Sequence, residues 1–237
     1  MNTLVQQENG LIGSPEAITA LGERQKARLL VISDSHGEYE VFRKIVEDFG
    51  PDSDALVFCG DGACDIIELM IEARKEDRLR EVIPPVIALV RGNGDAPLYR
   101  VDFDEEEDTR SMEDPTVPPV LKQLSVPDRI SFTAAGRMVF AVHGHHHNVD
   151  WGIDTLSMIA DTNDADLIFY GHTHRPYREE TGGSLILNPG SCSRPRGTPF
   201  ASFASVAFPG STERFETEYF TIDRNIFGMM TFTPFSL

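Results

Sequence analysis

The chain is poor in cysteine, poor in positive charge and without a long apolar run. Its three cysteines, Cys59, Cys64 and Cys192, form no Cys-x-x-Cys pair. That excludes a disulfide framework or a thiolate zinc ribbon and fits a reducing, cytoplasmic compartment. Lysine and arginine together number 21 against 38 acidic residues, a net charge of −17. With no basic cluster to override that field, a duplex nucleic acid or an anionic membrane surface is disfavoured as a partner. No run of about 18 apolar residues marks a membrane span, and residues 1–26 lack the apolar segment of a secretory leader. Histidine is scarce too, seven in 237 residues, yet four of the seven fall within "AVHGHHHNV". The others lie in "SDSHGE" and "YGHTHRP", each just after an apolar run.

Hydrophobic residues at 41% and charged residues at 25% are ordinary globular usage. "SPEAITALGER" predicts a short helix capped by Ser14. "ARLLVISD", "DALVFCGD" and "PVIALVRGNGD" read as strands buried on both faces. They alternate with helices over 39–49, where Val41, Phe42, Ile45, Val46 and Phe49 share a face, and over 65–77. A β-α-β-α-β order predicts a parallel sheet with right-handed crossovers. "RISFTAAGRMVFAVHG" and "PYREETGGSLILNPGS" read as hairpins, residues 151–163 as a helix, and "DLIFYGHTH" as another strand. The tail, rich in Phe, Thr and β-branched residues, predicts antiparallel strands. No repeat or domain boundary is evident, so residues 1–237 are expected to form one domain with a short N-terminal extension (1–26). Residues 98–128 interrupt the pattern and read as an inserted loop. That loop carries "DFDEEED", Asp102 to Asp108, six carboxylates in seven residues, expected to be solvated.

The predicted strands end in polar residues: Asp34 and His36, Asp61, Asn93 and Asp95, His143 and His145, His172 and His174. Ligands of open α/β sheets bind outside the carboxyl ends of the strands, so five strand ends delivering Asp, Asn and His to one edge predict a site. Imidazole, carboxylate and amide donors without thiolate suit divalent transition metals. Seven of them, Asp34, His36, Asp61, Asn93, His143, His172 and His174, exceed what one ion with open positions needs. They match two ions sharing a carboxylate, about 3.5–4 Å apart. Gly37, Gly60, Gly92, Gly144 and Gly171 let the chain turn where it leaves a strand. His146 and His147 are expected to be solvated, and Cys59 and Cys64 to pack in the core.

The order "DSH", "GDG", "GNGD", "HGHH", "GHTH", "NPGS" resembles the calcineurin-like metallophosphoesterase superfamily, and within it the small prokaryotic phosphodiesterases of the YfcE-like group. The resemblance runs from about Arg28 to the end of the second hairpin. It implies a four-layer α/β/β/α sandwich of two mixed sheets flanked by helices. It implies two divalent ions, Mn²⁺ first, with Fe, Ni, Zn or Co fitting the same donors. Asp34, His36 and His174 would hold one ion and Asn93, His143 and His172 the other, with Asp61 bridging. The implied reaction is hydrolysis of a small phosphodiester or phosphomonoester, the former favoured, by a metal-bound hydroxide in line with the leaving oxygen.

Two departures stand out. Gly94 occupies a position where many relatives carry a histidine that meets the phosphate or leaving group, and Cys64 replaces an acidic residue, with Asp65 one later. His145, two residues beyond His143, is the candidate to contact substrate or supply the missing proton. Asp95 is expected to orient a ligand or its support. Arg194 and Arg196 read equally as phosphate contacts or as structural ion pairs. A protein-binding scaffold with a vestigial metal site, or a nuclease of the same superfamily, is the alternative. An intact ligand set favours the enzyme.

Overall fold

A computed structural model describes residues 1–102, 121–210 and 215–237. Most of Asp102 to Asp108 lies outside the described residues. The first sheet has seven strands: β1 (Ile12–Gly13), β2 (Lys26–Ile32), β3 (Ala55–Phe58), β4 (Val86–Leu89), β12 (Ala201–Pro209), β13 (Glu216–Arg224) and β14 (Met230–Phe235). Their order is β1-β4-β3-β2-β12-β13-β14. β2, β3 and β4 are parallel, in register through Leu30, Leu56 and Ile87. The tail strands add antiparallel to β2, as the sequence predicts.

The second sheet has five strands: β7 (Arg129–Ala134), β8 (Arg137–Val142), β9 (Leu167–Phe169), β10 (Pro176–Thr181) and β11 (Ser184–Pro189), in the order β10-β11-β9-β8-β7. Both expected hairpins form. Yet β8, β9 and β11 run parallel to one another, where the hairpins had suggested an antiparallel half. The helix of residues 154–163 is a crossover, so it brings β9 back beside β8 in the same direction. Each sheet therefore has a parallel triple at its heart.

Alternation along the strands sorts side chains into layers. Leu30 and Ile32 of β2, Leu56 and Phe58 of β3, and Ile87 and Leu89 of β4 pack under helices α2 (Tyr39–Phe49), α3 (Ala63–Lys75) and α4 (Asp77–Val82). The opposite faces, Leu29, Val31, Val57 and Ala88, meet Ile130, Val139, Ala141, Leu167, Phe169 and Leu187 of the second sheet. That sheet's outer face, with Phe140, Val142, Ile168 and Ile186, is covered by Leu156 and Ala160 of α5 (Asp154–Asn163). The result is the expected four-layer α/β/β/α sandwich. Each fully buried Leu, Ile or Phe contributes on the order of 1.5–3 kcal/mol.

Local details differ from the sequence reading. Ser14 caps α1 (Pro15–Glu23) as expected, its side chain accepting from the Ala17 N–H. Ile12 and Gly13 of the expected N-terminal extension form an edge strand on β4. The helix expected over 65–77 stops at Lys75 and a separate one, α4, follows. The ends of segment 98–128 pair as β5 (Leu98–Val101) and β6 (Lys122–Ser125), with Val101 and Leu124 buried. Four-residue strands with one inward side chain are too short to show a period in sequence. No helix among the described residues is long and apolar enough to cross a membrane.

Candidate metal centre

All seven candidate ligands leave the carboxyl ends of the parallel strands on sharp turns. Five of them, Asp34, His36, Asp61, His172 and His174, have φ between 48° and 67°. The left-handed region is disfavoured for residues with a Cβ, and each such position stores on the order of 1 kcal/mol or more of strain that surrounding contacts must hold. Asp34 N–H donates to the Gly60 carbonyl at 2.9 Å and His36 N–H to the Asp61 carbonyl at 2.9 Å, locking the β2 and β3 loops together. Gly60 permits the approach: a Cβ there would stand 2.6 Å from the Gly92 nitrogen and 2.8 Å from His143 Nδ1.

Asp34 is fully buried. Its Oδ2 accepts from Ser33 Oγ at 2.6 Å and the His172 N–H at 3.2 Å, whereas Oδ1 is buried with no hydrogen-bond partner among the described residues. Facing Oδ1 are His174 Nε2 at 3.2 Å and the Nε2 atoms of His36 and His143, each at 3.9 Å. Asp61 Oδ2 lies 3.6 Å from His143 Nε2 and 3.9 Å from His36 Nε2. Asp34, His36 and His174 thus form one ligand-competent group, and Asp34, Asp61 and His143 a second. Asn93 Oδ1 lies 3.2 Å from His143 Nε2 and 3.0 Å from His172 Nδ1. The geometry brings all seven together, with Asp34 as well as Asp61 facing both groups.

The ring nitrogens are oriented by what lies behind them. His143 Nδ1 donates to the Cys59 carbonyl at 2.7 Å, and His174 Nδ1 donates to the Arg194 carbonyl. His172 Nε2 faces Asp150 Oδ2 at 3.2 Å. Each contact commits one nitrogen and leaves the other's lone pair turned inward. Lone pairs of His36 Nε2 and His174 Nε2 only 3.1 Å apart, beside an orphaned buried carboxylate oxygen, are a donor set that divalent cations satisfy.

Several supporting residues escaped the sequence reading. Asp65 is buried and accepts from Ser35 Oγ and from the Gly37 N–H at 3.1 Å, bracketing His36. Burial raises its carboxyl above the ordinary range, partly offset by those two donors. Asn188 donates to the Gly171 carbonyl at 2.7 Å, and Ser191 Oγ donates to the Asp34 carbonyl at 2.7 Å, so "NPGS" holds the loops of "GHTH" and "DSH". Asp150 supports His172. The hints in sequence were that Asn188 and Ser191 lie in "NPGS" and that Asp65 and Asp150 lie near motif residues, without a role being read for any of them.

Asp95 accepts from the backbone N–H groups of Asp61, Gly62, Ala63 and Gly92 at 2.8 to 3.1 Å. Its carboxylate ties the β3 and β4 loops together and supports Asp61, in keeping with an orienting role. Gly94 N–H donates to Asp61 Oδ1 at 2.7 Å. Burial alone would raise the Asp61 carboxyl. The hydrogen bond and charge of His143, with the Gly94 N–H, outweigh burial and hold it down at about 2. Burial would lower His143, and Asp61 and Asp34 together raise it.

His145 is half-buried, its ring 5.4 Å from that of His143 and 6.2 Å from that of His172. Burial and the neighbouring imidazoles push it down to about 4. His146 is exposed as expected, but His147 is half-buried with a buried Nδ1, because its N–H turns back to the Gly144 carbonyl. Cys59 is buried, whereas Cys64, expected in the core, is exposed at the first turn of α3. Arg194 and Arg196 are exposed and form no ion pair among the described residues.

The sequence profile of the calcineurin-like phosphoesterase superfamily domain matches residues 28–209. The chain belongs to that superfamily, whose members are metal-dependent phosphoesterases. It is 31% identical over 185 residues to phosphodiesterase YfcE of Escherichia coli (strain K12), covering 76% of this chain and 86% of that one. A predicted phosphoesterase of Streptococcus pneumoniae TIGR4 superposes with a TM-score of 0.59 at 24% identity, over 89% of this chain and 99% of that one. Vps29 of Chaetomium thermophilum superposes with a TM-score of 0.57 at 16% identity, over 88% of this chain and 95% of that one. At those identities the two structures attest the fold alone.

Proposed function

We propose that this chain is a dinuclear metal-dependent phosphoesterase that hydrolyses a small phosphodiester in preference to a phosphomonoester. The observation that carries the reading is the orphaned Oδ1 of buried Asp34, ringed by inward-facing imidazole nitrogens at 3.2 to 3.9 Å. Asp34, His36 and His174 would hold one ion, Asn93, His143 and His172 the other, with Asp61 between them. The N and O donor set suits Mn²⁺, with Fe, Ni, Zn or Co as competitors. When bound, such a pair supplies Lewis acidity toward phosphoryl oxygens and a water acidified to near-neutral pH.

The protein supplies position and charge. Asp65, Asp95 and Asp150 hold His36, Asp61 and His172 in place, so little reorganisation is needed as the substrate reacts. His145 stands on the rim beside His143 and His172, and is assigned to contact the substrate. Gly94 offers only its N–H, already given to Asp61, so leaving-group protonation falls to His145 or to solvent. The net charge of −17 favours a small anionic substrate over a duplex. A scaffold role would call for a decayed ligand set, and none of the seven positions is lost.

The test is to strip the purified chain with a chelator, reload it with Mn²⁺, Zn²⁺, Ni²⁺ or Mg²⁺, and assay nitrophenyl diesters and monoesters beside elemental analysis. Two bound ions and activity restored better by Mn²⁺ than by Mg²⁺ are expected. Full hydrolysis by metal-free protein would overturn the reading.

A further inference from the structure

A cavity of about 300 Å³ opens beside His172, lined among others by Val149, Ile153, Thr173, Arg175, Tyr177 and Arg196. It reaches the candidate metal centre through Thr173 and Asp150. Thr173 separates His172 from His174, and Asp150, also on its wall, faces His172 Nε2. Its volume is at the lower end of small-ligand sites, room for a compact group on a short linker.

Charge is what sets this cavity apart. Several arginines elsewhere are paired, Arg43 with Glu47, Glu72 and Glu76, Arg91 with Asp128, and Arg137 with Asp166. Arg175 and Arg196 have no carboxylate partner among the described residues, in a chain with 17 excess acidic groups. Both are tied to the ligand loops. Arg175 follows His174 in sequence, and the Arg196 N–H donates to the His174 carbonyl at 3.0 Å. The carboxylate of Asp150 is turned toward His172. Two exposed arginines without a carboxylate partner among the described residues, both lining one small cavity, are suited to bidentate capture of a carboxylate or phosphoryl group. At the rim, between Asp150 and Gly152, stands Trp151, the chain's single tryptophan, 91% exposed.

We propose that this cavity is a second-anion subsite, in which Arg175 and Arg196 bind a carboxylate or phosphoryl group carried by the substrate a short linker away from the scissile phosphorus. The inference deepens the phosphoesterase reading and rests on it. It narrows the substrate class to small phosphoesters bearing two anionic groups.

The experiment uses the full, metal-reloaded chain and three probes: methylphosphonate, with one anionic group, and 3-phosphonopropionate and propane-1,3-bisphosphonate, with two. Each is measured as an inhibitor of nitrophenyl diester hydrolysis and by titrating Trp151 fluorescence. At low salt the two-anion probes should bind at least tenfold tighter than methylphosphonate, about 1.4 kcal/mol, and shift Trp151 emission. Tighter binding of the carboxylate probe or of the bisphosphonate identifies the preferred second group. In the double variant Arg175→Met, Arg196→Met the preference should fall toward one with metal content unchanged. Arg175→Lys, Arg196→Lys, which keeps the charge and serves if the Met variant does not fold, should retain only part of it.

Hydrolysis with equal binding of one- and two-anion probes would overturn the subsite and leave the hydrolase reading standing. So would a preference that survives in both double variants, since the metals alone would then explain it. Failure of every ester to hydrolyse, with the fluorescence preference intact and arginine-dependent, would overturn the hydrolase reading and support the subsite.

Discussion

The carboxyl ends of β2, β3 and β4 deliver Asp34, Asp61, Asn93 and one imidazole, His36, whereas those of β8 and β9 deliver imidazoles alone, His143, His172 and His174. The two sides are held differently. On the first, buried or half-buried carboxylates hold the loops by accepting donors: Asp95 takes four backbone N–H groups, and Asp65 takes Ser35 Oγ and the Gly37 N–H. On the second, main-chain carbonyls of Cys59 and Arg194 take ring N–H groups, and Asp150 faces the third ring. The difference follows from reach. An aspartate side chain is short, so its backbone must be placed. An imidazole is longer and planar, so its ring must be turned and its tautomer chosen.

The sharpest way to break the comparison is to remove a ligand outright. His143→Ala takes away the imidazole that faces Asp34, Asp61 and Asn93. It should lose or weaken one ion and cut kcat on the order of 10³-fold, about 4 kcal/mol. Elemental analysis and steady-state kinetics read both effects, and full metal content with full activity would refute the assignment. Next come the supports. Asp95→Ala strands four N–H groups and frees the Asp61 loop, so metal affinity should fall roughly 10–100-fold and stability by about 2 kcal/mol or more. Asp150→Asn should cost less, roughly tenfold at most in metal affinity, because that carboxylate is 57% exposed. Equal effects would mean that the two sides are held alike after all.

His145→Ala should keep both ions while lowering kcat roughly 10²-fold. A pKa of about 4 leaves the ring neutral at pH 7 and charged only below that value. The loss should therefore be the same for nitrophenyl and alkyl esters, as for a positioning contact. A larger loss on the alkyl ester would identify His145 as the proton donor. The smallest effect is expected from replacing the six carboxylates of Asp102 to Asp108 with Ser or Asn. Metal content should not change, and KM for an anionic ester should fall a few-fold at low salt and not at high salt.

The candidate ligands were legible because each is a local event: a buried strand of apolar residues ends, and an Asp, Asn or His follows. The alternating faces of β2, β3 and β4 likewise follow from continuous apolar runs. Apart from Asp95, the supports of those ligands were not legible, because they act across the chain. Asp65 holds a loop 28 residues away, and Ser191 holds Asp34 across 157. The direction of β9 and β11 was hidden for a similar reason, since a hairpin signal reports a strand's neighbour in sequence and not its partner in the sheet. Cys64 misled because a residue type with a strong preference for the interior sits at a helix start that faces outward.

The order in which the chain brings these parts together has a consequence for synthesis. Ser191 and Ser193 hold the Asp34 carbonyl, the Arg194 carbonyl orients His174, and β12, residues 201–209, lies against β2. A chain made only as far as residue 180 has all seven candidate ligands, together with Asp65, Asp95 and Asp150, but lacks the contacts that Asn188, Ser191, Ser193 and Arg194 make to the Asp34, Gly171 and His174 loops. Those contacts close only when residues 188–209 have joined the first strands, and contacts of such sequence separation close slowly. An ion taken up before they close would meet donors not yet fully aimed, so the metal content of the purified protein is expected to depend on the conditions of folding as well as on the finished site.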